Sequence, residues 1–131
     1  MLDIFSLEGK VALFTGGSRG LGKAMSIGLA KAGADVAVVG RKADQNAIDQ
    51  ITACGVRGKF FEFDLENVEA IPELVKAVQN EFGHIDILIN NAGVQKRHKA
   101  VEFPKVDWDF VLNVNMSAVF FLCQEVGKLM L

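Results

Sequence analysis

The stretch that most constrains the fold is Thr15-Gly16-Gly17-Ser18-Arg19-Gly20-Leu21-Gly22. It follows the apolar run Val11-Ala12-Leu13-Phe14. It leads into residues at helical spacing, Leu21, Ala24, Met25, Gly28, Leu29 and Ala32. A strand that turns through a glycine loop into a helix points backbone N–H groups and a helix N-terminus at one spot, which suits a phosphate. In that reading Gly16 makes the tight turn, Gly20 lets the backbone approach a pyrophosphate, and Gly22 lets the helix lie close to the strand. Taken alone, the loop also fits an ordinary strand–turn–helix, so the remainder of the chain has to decide.

The pattern along the chain is strand and helix in strict alternation. Lys10–Thr15 reads as a first strand, with a helix from about Arg19 to Lys31 stopped at Gly33. Asp35–Val39 is a second buried strand. Ala43–Cys54 is a helix with Ile48 and Ile51 on one face. Lys59–Phe63 is a third strand closed by Asp64. Val68, Ile71, Leu74, Val75, Val78 and Phe82 mark the next helix, with Pro72 in its first turn, where a missing N–H costs little. Ile85–Ile89 is a fourth strand, and Asn90–Lys105 a loop. Trp108, Val111, Leu112, Val119, Leu122, Val126 and Leu129 mark a long last helix after Pro104. The expected fold is α/β, a doubly wound parallel sheet of Rossmann-like type, cut off after the helix that follows strand four. Right-handed crossovers give the strand order 3-2-1-4. Residues 1–131 together read as the N-terminal dinucleotide-binding part of a single such domain. Ligands of these sheets sit beyond the carboxyl ends of the strands. Thr15–Gly22, Gly40–Lys42, Asp64 and Asn90–Gly93 all fall at those ends.

Composition excludes some partners. The 131 residues carry a formal charge of −2 and a pI near 5.6, without an extended basic cluster, which argues against nucleic acid. No CxxC, no secretory leader, no metal-ligand cluster and no apolar run long enough to span a bilayer is evident. Cys54 and Cys123 read as buried free thiols in a reducing, cytoplasmic setting.

Thr15–Gly22 matches the TGxxxGxG pattern of the short-chain dehydrogenases/reductases. Asn90-Asn91-Ala92-Gly93 matches that family's NNAG motif, and Asn113-Val114-Asn115 its helix asparagine. The chain therefore resembles this family over its whole length. Two stretches resemble the branch that oxidises sugar acids of the gluconate type. They are Phe5–Ala12 and Phe82–Gly93, the latter continuing through Gln95–His98 and Glu102–Pro104 to Trp108.

The resemblance implies an oxidoreductase that interconverts a secondary alcohol and a ketone with a nicotinamide dinucleotide. It places Gly16, Ser18, Arg19, Gly20, Leu21 and Gly22 along the pyrophosphate and adenosine side. Asp64 would meet the adenine amino group with Leu65 beside it, and Asn91, Ala92 and Gly93 would run towards the nicotinamide. Asp64 equally suits a helix N-terminal acid. Val38-Val39-Gly40-Arg41-Lys42 lacks the strand-end carboxylate that would hold a ribose diol, and Asp44 lies too far on. Arg41, with Arg19 opposite, suits a 2′-phosphate, so NADP(H) is expected over NAD(H). Two solvated surface arginines are the alternative.

The resemblance assigns Asn115 to the catalytic end, where it would help hold a water, against the plainer role of a helix polar residue bonded to backbone. Gln95, Arg97 and His98 are substrate candidates, with Lys96 or Arg97 for a carboxylate, or else a solvated basic loop. The family's serine, tyrosine and lysine are not among these residues, and the sequence contains no tyrosine. The expectation is an enzyme as a parent protein, a homo-oligomer (a tetramer by resemblance), and no turnover by a 131-residue polypeptide on its own. The second reading is a non-catalytic cofactor-binding half-domain stabilised by pairing with other chains. Either way, strand four and the last helix should expose apolar surface.

Overall fold

The computed structural model describes residues 3–131. Four parallel strands, β1 (Val11–Thr15), β2 (Asp35–Gly40), β3 (Gly58–Glu62) and β4 (Ile87–Asn90), form one sheet in the order β3-β2-β1-β4. The expected topology is the observed one. Helices α1 (Gly20–Lys31) and α2 (Gln45–Thr52) follow β1 and β2, α3 (Ile71–Phe82) follows β3, and α4 (Lys105–Leu112) and α5 (Ala118–Met130) follow β4.

β1 is fully buried from end to end, as a strand covered on both faces must be. Its alternate residues feed two cores. Val11 and Leu13 join Ala37 and Val39 beneath α3 and α5, through Ile71, Leu74, Val78, Ala118, Leu122 and Val126. Phe14 joins Val36 and Val38 on the other face, beneath Ala30 of α1 and Ile48 and Ile51 of α2. The sheet is thus sandwiched between two helical layers, and its C-terminal edge is left for function.

Element ends shift where side chains take over backbone bonding. α2 starts at Gln45 because the Asp44 carboxylate accepts the N–H groups of Asn46 and Ala47 at 3.0 and 3.4 Å. β4 pairs with β1 only from Ile87, opposite Ala12. Before it, the Asp86 carboxylate accepts the Val11 N–H at 2.8 Å and contacts His84 Nδ1 at 2.7 Å. The last helix is not uniform, because Asn113–Ser117 forms a π turn between α4 and α5. The preceding loop contains a 3-10 turn at Ala100–Glu102.

Two expectations are corrected. The thiols are free but not buried: Cys54 is half-buried in the turn after α2, and Cys123 is exposed. The inward stripe of α5 is Ala118, Leu122 and Val126. Residue 123 lies a further 100° or so around the helix, off that stripe. Residues Lys105–Met130 also make one continuous helix of 26 residues that is apolar and long enough, by those criteria alone, to cross a membrane. In this fold that helix covers the sheet through Val114, Ala118, Leu122 and Val126. Its other side exposes Trp108, Met116, Phe120, Phe121 and Met130, and among the described residues β4 has no strand neighbour but β1. The apolar surface anticipated there is present.

Burial alone would raise the Asp86 pKa, but the Val11 N–H, His84 and Lys10 outweigh it and hold it below the usual carboxylate value of 3.8. A carboxylate with a depressed folded pKa stabilises above its unfolded pKa, and that stability is lost as pH falls through the folded value. Asp86→Ala leaves the buried Val11 N–H without its side-chain acceptor and is expected to cost about 1–3 kcal/mol at neutral pH. Urea unfolding at pH 7 and below pH 4 checks this. The gap between wild type and variant should narrow at the lower pH, and a pH-independent gap would contradict it.

Candidate functional site

At the C-terminal edge of the sheet lies a cleft of about 1190 Å3. Its floor is the glycine loop between β1 and α1, and its far walls are the ends of β2, β3 and β4. The loop is bolted in place from three directions. The buried Thr15 hydroxyl accepts the N–H groups of Asn91 and Ala92, both at 3.1 Å. The Asn91 side-chain amide donates to the Gly16 carbonyl at 3.0 Å. The buried Ser26 hydroxyl, from α1, reaches the Gly17 carbonyl at 2.9 Å. Thr15 opens the glycine motif but has no role assigned from the sequence, and Ser26 lies outside the motif. Their small hydroxyls in otherwise apolar elements were the available signal.

Close approach makes glycine obligatory at position 22. A Cβ there would collide with the Gly16 carbonyl oxygen and the Asn91 amide. α1 therefore starts directly against the turn that follows β1. Gly20, in contrast, has φ +59° and faces open space, so an added Cβ would meet no protein atom. The freedom at Gly20 serves the cleft side of the loop and its left-handed backbone, whereas that at Gly22 serves packing.

The helix end itself is unfilled. Arg19, at the N-cap of α1, is extended and makes no side-chain cap, and the first turn contains no acidic residue. The first N–H groups of a 12-residue helix thus face the cleft with a partial positive charge and no intrahelical partners. Around the rim, Arg19, Arg41 and Lys42 are exposed, and none takes part in a salt bridge among the described residues. This donor set fits an anionic dinucleotide.

The cleft brings together Gly16, Ser18, Arg19, Gly20, Leu21, Gly22, Arg41, Asp64, Leu65, Asn91, Ala92 and Gly93, every residue expected on the cofactor side. Asp64 is exposed and accepts the Glu66 N–H at 3.0 Å, which shapes the turn after β3. It does not cap α3, whose N-cap is Ala70. Val94, Phe110 and Val114 also line the cleft. Phe110 and Val114 are apolar residues of the last helix that the sequence does not mark for the cleft, although Val114 stands inside the Asn113-Val114-Asn115 motif.

Asn115 stands in the π turn and clamps Val94. Its Oδ1 accepts the Val94 N–H at 2.9 Å, and its Nδ2 donates to the Val94 carbonyl at 2.8 Å. It is bonded to backbone, as the plainer reading had it, but to backbone 21 residues away rather than nearby. Gln95, Arg97 and His98 lie outside the cleft wall. Gln95 and Arg97 are exposed. His98 Nε2 is 2.6 Å from the Asp107 carboxylate, and its ring packs edge-on against Phe103. Lys96 lies over the Phe110 ring.

The family model for short chain dehydrogenases matches residues 10–131. The chain is 46% identical over 128 residues to the 2-dehydro-3-deoxy-D-gluconate 5-dehydrogenase of Escherichia coli, covering 98% of this chain and 51% of that one. It is 42% identical over 131 residues to the gluconate 5-dehydrogenase of Gluconobacter oxydans, covering 98% and 51%. A short chain dehydrogenase from Burkholderia cenocepacia, crystallised in complex with NADP, superposes with a TM-score of 0.90 at 38% identity, over 95% of this chain and 52% of that one. The chain spans about half the length of the curated relatives it matches.

Thr15→Val keeps the side-chain shape but leaves the Asn91 and Ala92 N–H groups without their acceptor. Stability should fall by about 1–3 kcal/mol in urea unfolding. An unchanged midpoint would show that the hydroxyl does not hold the loop.

Proposed function

The chain belongs to the short chain dehydrogenase family, and on that premise we propose that it is the dinucleotide-binding part of an NADP(H)-dependent sugar-acid dehydrogenase. The substrate would be a gluconate-type acid, with a secondary alcohol and a ketone as the interconverted pair. The observation that carries the proposal is the uncapped N-terminus of α1 beside three rim cations that have no carboxylate partner among the described residues. The N–H groups of Gly20, Leu21 and Gly22 would hold the pyrophosphate. Arg41, with Arg19, would grip a 2′-phosphate through the planar guanidinium fork. Asp64 and Leu65 would frame the adenine, and Asn91–Gly93 would guide the remainder of the dinucleotide towards Val94.

When bound, NADP(H) supplies or accepts the hydride. Asn115 would position the catalytic end: its clamp on Val94 fixes the chain where the nicotinamide half would lie. Gln95 and Arg97 are free to meet a substrate carboxylate, whereas His98 would first have to release Asp107. The acid–base hydroxyl of the family is not supplied by these 131 residues, which contain no tyrosine. We therefore assign this stretch to cofactor binding and not to proton transfer. A cytoplasmic homo-oligomer is the setting we propose. The two free thiols and the exposed apolar side of α5 support it.

Dinucleotide titration by calorimetry tests the reading. NADP+ should bind more tightly than NAD+. Arg41→Ala should weaken NADP+ by about 10- to 100-fold, as loss of a charge-assisted hydrogen bond does, while leaving NAD+ within about twofold. Tighter binding of NAD+ by the wild type would overturn the NADP(H) assignment.

A further inference from the structure

We infer that Lys23 sets the preference for a 2′-phosphorylated dinucleotide by neutralising Asp44, a carboxylate fixed at the rim of the cleft three residues beyond Arg41. This rests on the NADP(H) reading above. Asp44 is no free surface acid. Its Oδ1 caps α2 through the N–H groups of Asn46 and Ala47, and its residue forms part of the cleft wall with Arg41, Lys42 and Ala43. Burial alone would raise its pKa, but the Ala47 and Asn46 N–H groups and Lys23 hold it below 3.8. It is therefore an anion at any physiological pH. Asp44 lies too far along the chain to be the strand-end acid that holds a ribose diol, yet it lines the cleft, and a carboxylate fixed on this wall repels a 2′-phosphate.

Lys23 cancels that charge from outside the cleft. It is the fourth residue of α1 and does not line the cavity. Its Nζ lies 3.4 Å from Asp44 Oδ2 and donates to Asn46 Oδ1 at 2.8 Å. Asn46 Oδ1 is itself held by Gln50 Nε2 at 2.6 Å. The ammonium is thus anchored on both the cap residue and the first turn of α2. The wall nearest Arg41 then presents a neutral pair in place of a bare anion, and the positive field of Arg19, Arg41 and Lys42 prevails there. Lys23 acts through Asp44, as a positioning residue that decides between two cofactors.

The test is a set of calorimetric affinities for NADP+ and NAD+ at low salt and at about 0.5 M salt, where the interaction is screened. Lys23→Met should weaken NADP+ on the order of fivefold at low salt and less at high salt, with NAD+ within about twofold. Lys23→Arg should keep the wild-type ratio. Asp44→Asn, which retains a good N-cap, should tighten NADP+, and the double variant Lys23→Met/Asp44→Asn should recover the wild-type preference. Parallel weakening of both dinucleotides, or no recovery in the double variant, would overturn the inference. With a wild type that prefers NADP+, those results leave the NADP(H) reading standing. A wild type that prefers NAD+ overturns both.

Discussion

The contact on which the site depends is the one between Gly22 and the Gly16 carbonyl. With no side chain at position 22, α1 begins against the turn that leaves β1. That same carbonyl accepts the Asn91 amide, and the neighbouring Thr15 hydroxyl takes the next two N–H groups of the β4 end. Two segments 75 residues apart in sequence are therefore one rigid floor. Any side chain at position 22 would push α1 outward. The helix N-terminus, the loop and the Asn91–Gly93 strip would then no longer face one cleft.

Charge is distributed to match that floor. The chain is acidic overall, yet the cleft rim carries three cations, Arg19, Arg41 and Lys42, that take part in no salt bridge among the described residues. Asp44, a carboxylate on the same cleft wall, is committed to capping α2 and to Lys23. Elsewhere some acids and bases meet in ordinary surface pairs, such as Arg57 with Asp35 and Lys105 with Asp109, which contribute little individually. A locally cationic edge is thereby compatible with a net negative protein.

Much of this was legible in the sequence for a physical reason. Parallel strands buried on both faces must be nearly continuous apolar runs, and crossover helices must show one apolar stripe. The alternation therefore identified every sheet strand and main helix. What escaped was information held in single polar atoms or in small changes of helical pitch. The helical pattern places Asp44 inside α2, whereas its carboxylate caps that helix. The π turn at Asn113–Ser117 leaves the apolar period almost intact, so it is silent in the pattern, yet it sits where Asn115 reaches Val94. Ser26 supports the loop through a hydroxyl that no spacing rule marks, and Thr15, the first residue of the motif, does so through bonds that the pattern does not reveal. Cys123 looked buried because its neighbour Leu122 is. Gln95, Arg97 and His98 followed β4 in sequence, but the chain carries them out of the cleft wall, and His98 is held by Asp107.

The most direct measurement is the set of backbone amide NMR shifts of the purified protein on titration with NADP+. Saturable shifts concentrated at Gly20, Leu21 and Gly22, with a second group at Asn91–Gly93, are the predicted result, because the first group is the uncapped helix end and the second lines the cleft opposite it. Shifts confined to the Gln95–His98 loop or to the exposed side of α5, with the Gly20–Gly22 amides unmoved, would contradict a dinucleotide site built on the glycine loop.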